Sequence, residues 1–141
     1  MDKPSKNLTW NELACKDGTA YPQGFIDDGT LDELVKMFEN VRKFLGDKRI
    51  YILSAYRTRS WNKKIKGALN SQHCLGRALD IAHDTLNPID VFTKLRFNVT
   101  SLGIRGLGNY PTFTHIDCRK SDKLAVFSGF GAKDDNQSLR T

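Results

Sequence analysis

Cysteine is scarce in this 141-residue chain: Cys15, Cys74 and Cys118 are odd in number and far apart. They match neither a paired disulfide framework nor a two-cysteine zinc knuckle, which excludes a stapled scaffold and leaves three reduced thiols. Long apolar runs are lacking as well. The longest near the middle is Ile50-Tyr51-Ile52-Leu53, far short of the roughly 18 residues that cross a bilayer as a helix, so no membrane span is expected. The segment from Met1 to Asn7 carries lysines with no apolar stretch behind them, and a secretory signal peptide needs both. Synthesis in the cytoplasm without a signal peptide is the expectation. No period of roughly 20–50 residues recurs, and no tract of Pro, Gly and Ser interrupts the chain. One domain is therefore expected over residues 1–132, followed by a polar tail over 133–141.

What is present suffices for a core: 39% of residues are hydrophobic and 10% aromatic, which argues against wholesale disorder. Lys and Arg total 22 against 16 Asp and Glu, a net charge of +6 that favours an anionic partner such as nucleic acid, anionic lipid or a bacterial cell wall. Thr9 with Glu12 makes a capping-box pattern for a short helix, and Thr30 with Glu33 makes a second. Behind Thr30, Leu31, Leu34, Val35, Phe38, Val41, Phe44 and Leu45 fall at helical spacing, with Gly46 as the stop. Residues 50–54 read as a buried strand, and after a turn at 57–60 a basic helix is expected over 61–66, ending before Gly67. Asn87 and Pro88 signal the start of a further helix, whose apolar face runs through Ile89, Phe92, Leu95, Val99 and Leu102 to Gly103. Short strands are expected at 79–82, 113–118 and 124–127. Strands and helices mix without regular alternation, so the fold class is α+β with a small, mostly antiparallel sheet and helices packed around it.

There are three histidines, His73, His83 and His115. Gly76 lets the chain turn so that His73 and Asp80 can converge. If 113–118 is a strand, His115 and Asp117 share one face and Ile116 and Cys118 the other. His73, Asp80 and His115 would then supply two nitrogens and one oxygen, three protein ligands with a position open for water as at catalytic zinc. Residue types alone leave the alternative of histidines satisfied within the core. His83 falls on the strand face opposite Asp80 and reads as a surface or core histidine, and Cys74, adjoining His73, would diverge from it.

Several blocks occur in order: Ser54-Ala55-Tyr56-Arg57-Thr58, Asn70 to His73 running on through Gly76-Arg77-Ala78-Leu79-Asp80-Ile81, Gly106 to Pro111, and His115-Ile116-Asp117, preceded by an opening Leu8 to Cys15. Together they resemble the zinc D-Ala-D-Ala carboxypeptidase family, whose wider group contains L-alanyl-D-glutamate endopeptidases of phage lysins and the hedgehog signalling domain. The resemblance covers about residues 8–130. It implies that His73, Asp80 and His115 bind Zn2+, that Arg57 faces the substrate and stabilises a carbonyl oxygen or a peptide carboxylate, and that Ser71 adds a polar contact to substrate. Residues 1–132 would then be one zinc peptidase domain.

One departure stands out. Many members place a Glu or His a few residues before the last zinc histidine as general base, and here that stretch is Tyr110-Pro111-Thr112-Phe113-Thr114. Asp117 is the nearest carboxylate, either as the base or as a structural carboxylate, and Tyr110 is a further hydrogen-bond donor. The expected function is a zinc peptidase cutting the peptidoglycan stem peptide, as a D,D-carboxypeptidase or endopeptidase or an L-Ala-D-Glu endolysin. It would be phage or prophage encoded, monomeric, and delivered to the wall by holin-type release or as a virion component. The alternatives are an inactive zinc or cell-wall binding domain of the same fold, or a nucleic-acid-binding module centred on Arg57, Arg59, Trp61, Lys63, Lys64 and Lys66. That cluster carries no reader motif, so no nucleic-acid partner is expected.

Overall fold

The computed structural model describes residues 2–129, so the polar tail expected at 133–141 lies outside the described residues. Two short helices and one long helix open the chain. Helix α1, Trp10–Leu13, carries the full capping box of Thr9 and Glu12. Helix α2, Gln23–Asp27, was not anticipated. Helix α3, Thr30–Phe44, buries Leu31, Leu34, Met37, Phe38 and Val41. Met37 completes that face, while Phe44 at its end remains 44% exposed. The capping box expected from Thr30 and Glu33 does not form. Asp28 Oδ1 accepts from the Thr30 amide, while Thr30 Oγ1 and Glu33 Oε2 both accept from the Arg77 guanidinium. A distant arginine has taken both local capping groups.

Strand β1, Ile50–Ser54, is followed by α4, Arg59–Lys64, where Thr58 Oγ1 caps the Trp61 amide. A 3₁₀ turn, Gln72–Leu75, leads into β2, Ala78–His83. The single helix expected up to Gly103 is two, α5 over Pro88–Arg96 and α6 over Val99–Leu102. Val91, Leu95, Val99 and Leu102 are buried and Ile89 is left exposed. Strands β3, Gly106–Asn109, β4, Thr114–Asp117, and β5, Ala125–Ser128, follow and end the elements of the described residues. Among the described residues no helix is long and apolar enough to cross a membrane.

The five strands form one sheet in the order β1-β2-β4-β3-β5, antiparallel throughout except for the β3/β5 pair. The fold is α+β with a mostly antiparallel sheet. Strand β3 escapes the sequence because two of its four residues are glycine, which strands usually avoid. Leu79 and Ile81 of β2, Leu107 of β3 and Ile116 of β4 join the α3 face in the hydrophobic core. Side chains alternate along a strand, so Asp80, His115 and Asp117 stand on the opposite face. Register then does the rest: Asp80 pairs with His115 across β2 and β4, and Gly108 of β3 flanks His115 on the other side.

Candidate metal centre and substrate cavity

His73 reaches this sheet face from the 3₁₀ turn. Ser71 caps that turn, its Oγ accepting from the His73 amide at 3.2 Å. Gly76 closes it with φ 71°, where an added Cβ would meet the Phe25 ring at 2.5 Å. His73, Asp80 and His115 are brought together, one donor atom from each lying within 4.8 Å of the others. All three are buried.

Hydrogen bonding fixes which ring atoms face inward. His73 Nδ1 lies 2.6 Å from the Ala55 carbonyl oxygen, which can only accept, so Nδ1 carries the proton and donates. His73 Nε2 then points at Asp80 Oδ1, 3.1 Å away. Burial drives His73 towards its neutral form, against the pull of Asp80. A neutral imidazole lone pair thus faces a carboxylate oxygen. His115 presents Nδ1 to the same Asp80 oxygen at 3.0 Å and donates from Nε2 to Asp117 Oδ2 at 2.7 Å. Burial disfavours charge on His115, but the bonds to Asp117 and Asp80 outweigh it and raise its pKa. Asp80, opposed by burial, is held well below the carboxylate range by His73 and His115. Three donors converging on one point, with their outer atoms already committed, fit a cation between them. Two nitrogens and one carboxylate suit a borderline metal such as zinc.

Asp117 sits on the far side of the His115 ring. It is fully buried and gripped by Arg119, whose Nε and Nη2 donate to its two oxygens at 2.8 and 2.6 Å, with the Arg119 amide adding a third bond at 3.1 Å. Burial works against its charge, and Arg119 and His115 overcome it, keeping the carboxyl ionised far below its usual range. Gly106 makes room for it, since a Cβ there would lie 2.0 Å from Asp117 Oδ2. Arg119 is not among the residues that the sequence marks out, and Gly106 enters there only as the start of the Gly106 to Pro111 block. An arginine two residues beyond a strand aspartate was the only available signal.

Arg57 turns inward, 9% exposed. Its Nε donates to Ser54 Oγ at 3.1 Å, Nη1 to Asn62 Oδ1 at 3.2 Å and Nη2 to Asp80 Oδ2 at 3.4 Å. Its amide also donates to the His73 carbonyl at 3.2 Å. Burial lowers its pKa and Asp80 partly restores it, but a guanidinium stays charged in proteins. It is therefore held on rigid backbone rather than spread over the basic surface of α4. A cavity of about 230 Å³ opens beside it, with Asp80, Lys66, Tyr110 and Phe113 in its wall. Tyr110 and Phe113 stack at 4.5 Å between centroids. Ser71 is 1% exposed and is absent from that wall. Its hydroxyl caps the turn that carries His73. His83 accepts at Nδ1 from the Thr85 and Leu86 amides and donates from Nε2 to the Leu45 carbonyl, a structural histidine. The three cysteines are buried and unpaired.

No protein of curated function matches this sequence. A family model described as Peptidase M15 matches residues 6–117, a span that begins before α1 and ends at Asp117, so it takes in His73, Asp80, His115, Arg57 and the cavity wall. The chain belongs to the peptidase M15 family.

Proposed function

We propose that this protein is a zinc-dependent peptidase that hydrolyses the stem peptide of bacterial peptidoglycan, as a D,D-carboxypeptidase or endopeptidase or as an L-Ala-D-Glu endolysin. The observation that carries the reading is the inward-facing His73, Asp80 and His115 set beside a cavity walled by Arg57. His73, Asp80 and His115 would hold the zinc ion, which would supply Lewis acidity towards a water and a scissile carbonyl.

The chain's own groups do the remainder. Arg57, fixed by Ser54, Asn62 and Asp80, offers its guanidinium edge to the oxygen on which charge develops, without reorganising first. Tyr110 and Phe113 form a flat apolar wall against which a peptide lies and from which water is displaced. The Ala55 carbonyl and Asp117 orient the two imidazoles, each by accepting from the ring nitrogen that faces away from the cluster. The net charge of +6 suits an anionic wall. Phage or prophage origin, with release by a holin or carriage in a virion, completes the proposal.

Asp117 has no exposed surface and is occupied by His115 and Arg119, which supports a positioning role for it rather than that of general base. Asp117→Asn should weaken metal binding by about 10- to 100-fold, the usual cost of losing such a partner, as read by titration against a competing chelator. Turnover at saturating zinc should then largely recover. Unchanged metal affinity with abolished turnover would return Asp117 to the role of base.

A second reading, an inactive zinc or cell-wall binding domain, is favoured by one observation: among the described residues lining the cavity, Asp80 is the only carboxylate and there is no imidazole. Digestion of purified peptidoglycan with mass analysis of the fragments separates the two. Stem peptides cut in a chelator-sensitive, zinc-restored manner support the peptidase, and binding to the wall with every stem peptide intact supports the second reading.

A further inference from the structure

Gly108 stands in a row of residues that crosses the sheet. Asp80 of β2 pairs with His115 of β4, His115 with Gly108 of β3, and Gly108 with Phe127 of β5, and residues paired in this way share a face. A side chain at Gly108 would have nowhere to go, since a Cβ there would lie 2.5 Å from Phe127 Cε2 and 2.9 Å from Tyr110 Cε2. The Phe127 ring leans over the vacant position and meets the His115 ring, with 5.3 Å between centroids and 49° between planes.

The same ring touches the other residue that holds Asp117. Arg119 places its guanidinium carbon 5.8 Å from the Phe127 centroid, within the range of a cation–π contact. Tyr110 of the cavity wall also packs edge-on against Phe127, at 6.4 Å between centroids. Phe127 is buried and is not itself part of that wall. It thus joins the wall to both partners of the Asp117 carboxylate, where the bond from His115 Nε2 to Asp117 is strengthened by the exclusion of water. The family match ends at Asp117, so Phe127 and the whole of β5 lie beyond it.

We propose that Phe127 is a positioning residue of the metal centre: its ring, seated over Gly108, sets the tilt of the His115 imidazole and keeps water from the His115–Asp117 bond, so that Nδ1 meets the cation already oriented. This rests on the reading of His73, Asp80 and His115 as metal ligands and on no particular substrate.

Two readouts test it, both taken well below the melting temperature so that lost stability does not enter: zinc affinity against a competing chelator, and exchange of the His115 Nε2 proton with solvent, followed by NMR with zinc bound and after its removal. Phe127→Leu keeps an apolar side chain and loses the ring. It should weaken zinc binding by about 10-fold, the lower end of the cost of losing an outer partner of a metal ligand, and should speed the proton exchange by a similar factor. Gly108→Ala displaces the ring without removing it and should do the same, which reads the contact even where Phe127→Leu does not fold. Because both changes act through one contact, the double variant should lose little more than the larger single loss. Val126→Ala, on the same strand with its side chain exposed, controls for loosening of β5 and should leave both readouts at the parent's values. Parent-like affinity and exchange in Phe127→Leu or in Gly108→Ala, losses that add in the double variant, or a Val126→Ala loss equal to that of Phe127→Leu overturns the proposal. A parent that takes up no zinc, with exchange still hastened by Phe127→Leu, would keep Phe127 as the residue that holds His115 and overturn the metal reading instead.

Discussion

Alanine at His73, Asp80 or His115 is expected to abolish stoichiometric zinc and to lower peptidoglycan turnover by about 10³-fold or more, since the metal contributes several kcal/mol to the transition state. A three-ligand set has no spare donor, and the second ring nitrogens of the histidines are already committed to Ala55 and Asp117. The three variants should differ in stability. His73→Ala and His115→Ala leave Asp80 with one imidazole and Arg57 as partners. Asp80→Ala leaves Arg57 buried without its carboxylate, and breaking a buried pair on one side costs about 3–5 kcal/mol. Asp80→Ala should therefore melt lowest, and chelation should lower the melting temperature of the parent far more than that of any variant, because metal bound to the native state adds folding free energy. Elemental analysis finding undiminished zinc in all three proteins would remove the metal assignment.

Arg57→Lys should retain charge and fold but lose about 10²-fold in kcat/KM, the scale of removing one preorganised donor to a developing oxyanion. The planar fork of Arg57 reaches three acceptors on β1, α4 and β2 at once. A single ammonium on a flexible stem cannot satisfy Ser54, Asn62 and Asp80 and still present a donor to the cavity. Zinc content should stay at one per chain, which separates this loss from that of the ligand variants. Turnover equal to the parent at moderate salt would place Arg57 outside the reaction, because a merely basic surface weakens with ionic strength and is indifferent to the shape of its cation.

What the sequence determined by itself is what short-range pattern can encode. The helical spacing behind Thr30 gave α3 and its apolar side, Thr9 with Glu12 gave the cap of α1, and alternation in β4 set His115 and Asp117 on one face and Ile116 on the other. The ordered blocks pointed to His73, Asp80 and His115, and the fold brings those three side chains together. The tertiary structure decided the partners. Strand register, a long-range quantity, placed Asp80 opposite His115. Arg77 drew Thr30 and Glu33 away from the local cap that they would otherwise make. Gly106 vacated the space into which Asp117 fits, and Arg119 took hold of that carboxylate, turning the nearest acid into a support for His115. The reason is common to all of these. Backbone periodicity is set within a few residues, whereas a buried polar group takes whichever partner the packed chain brings within hydrogen-bond reach, and leaving it unpaired costs more than any local preference supplies.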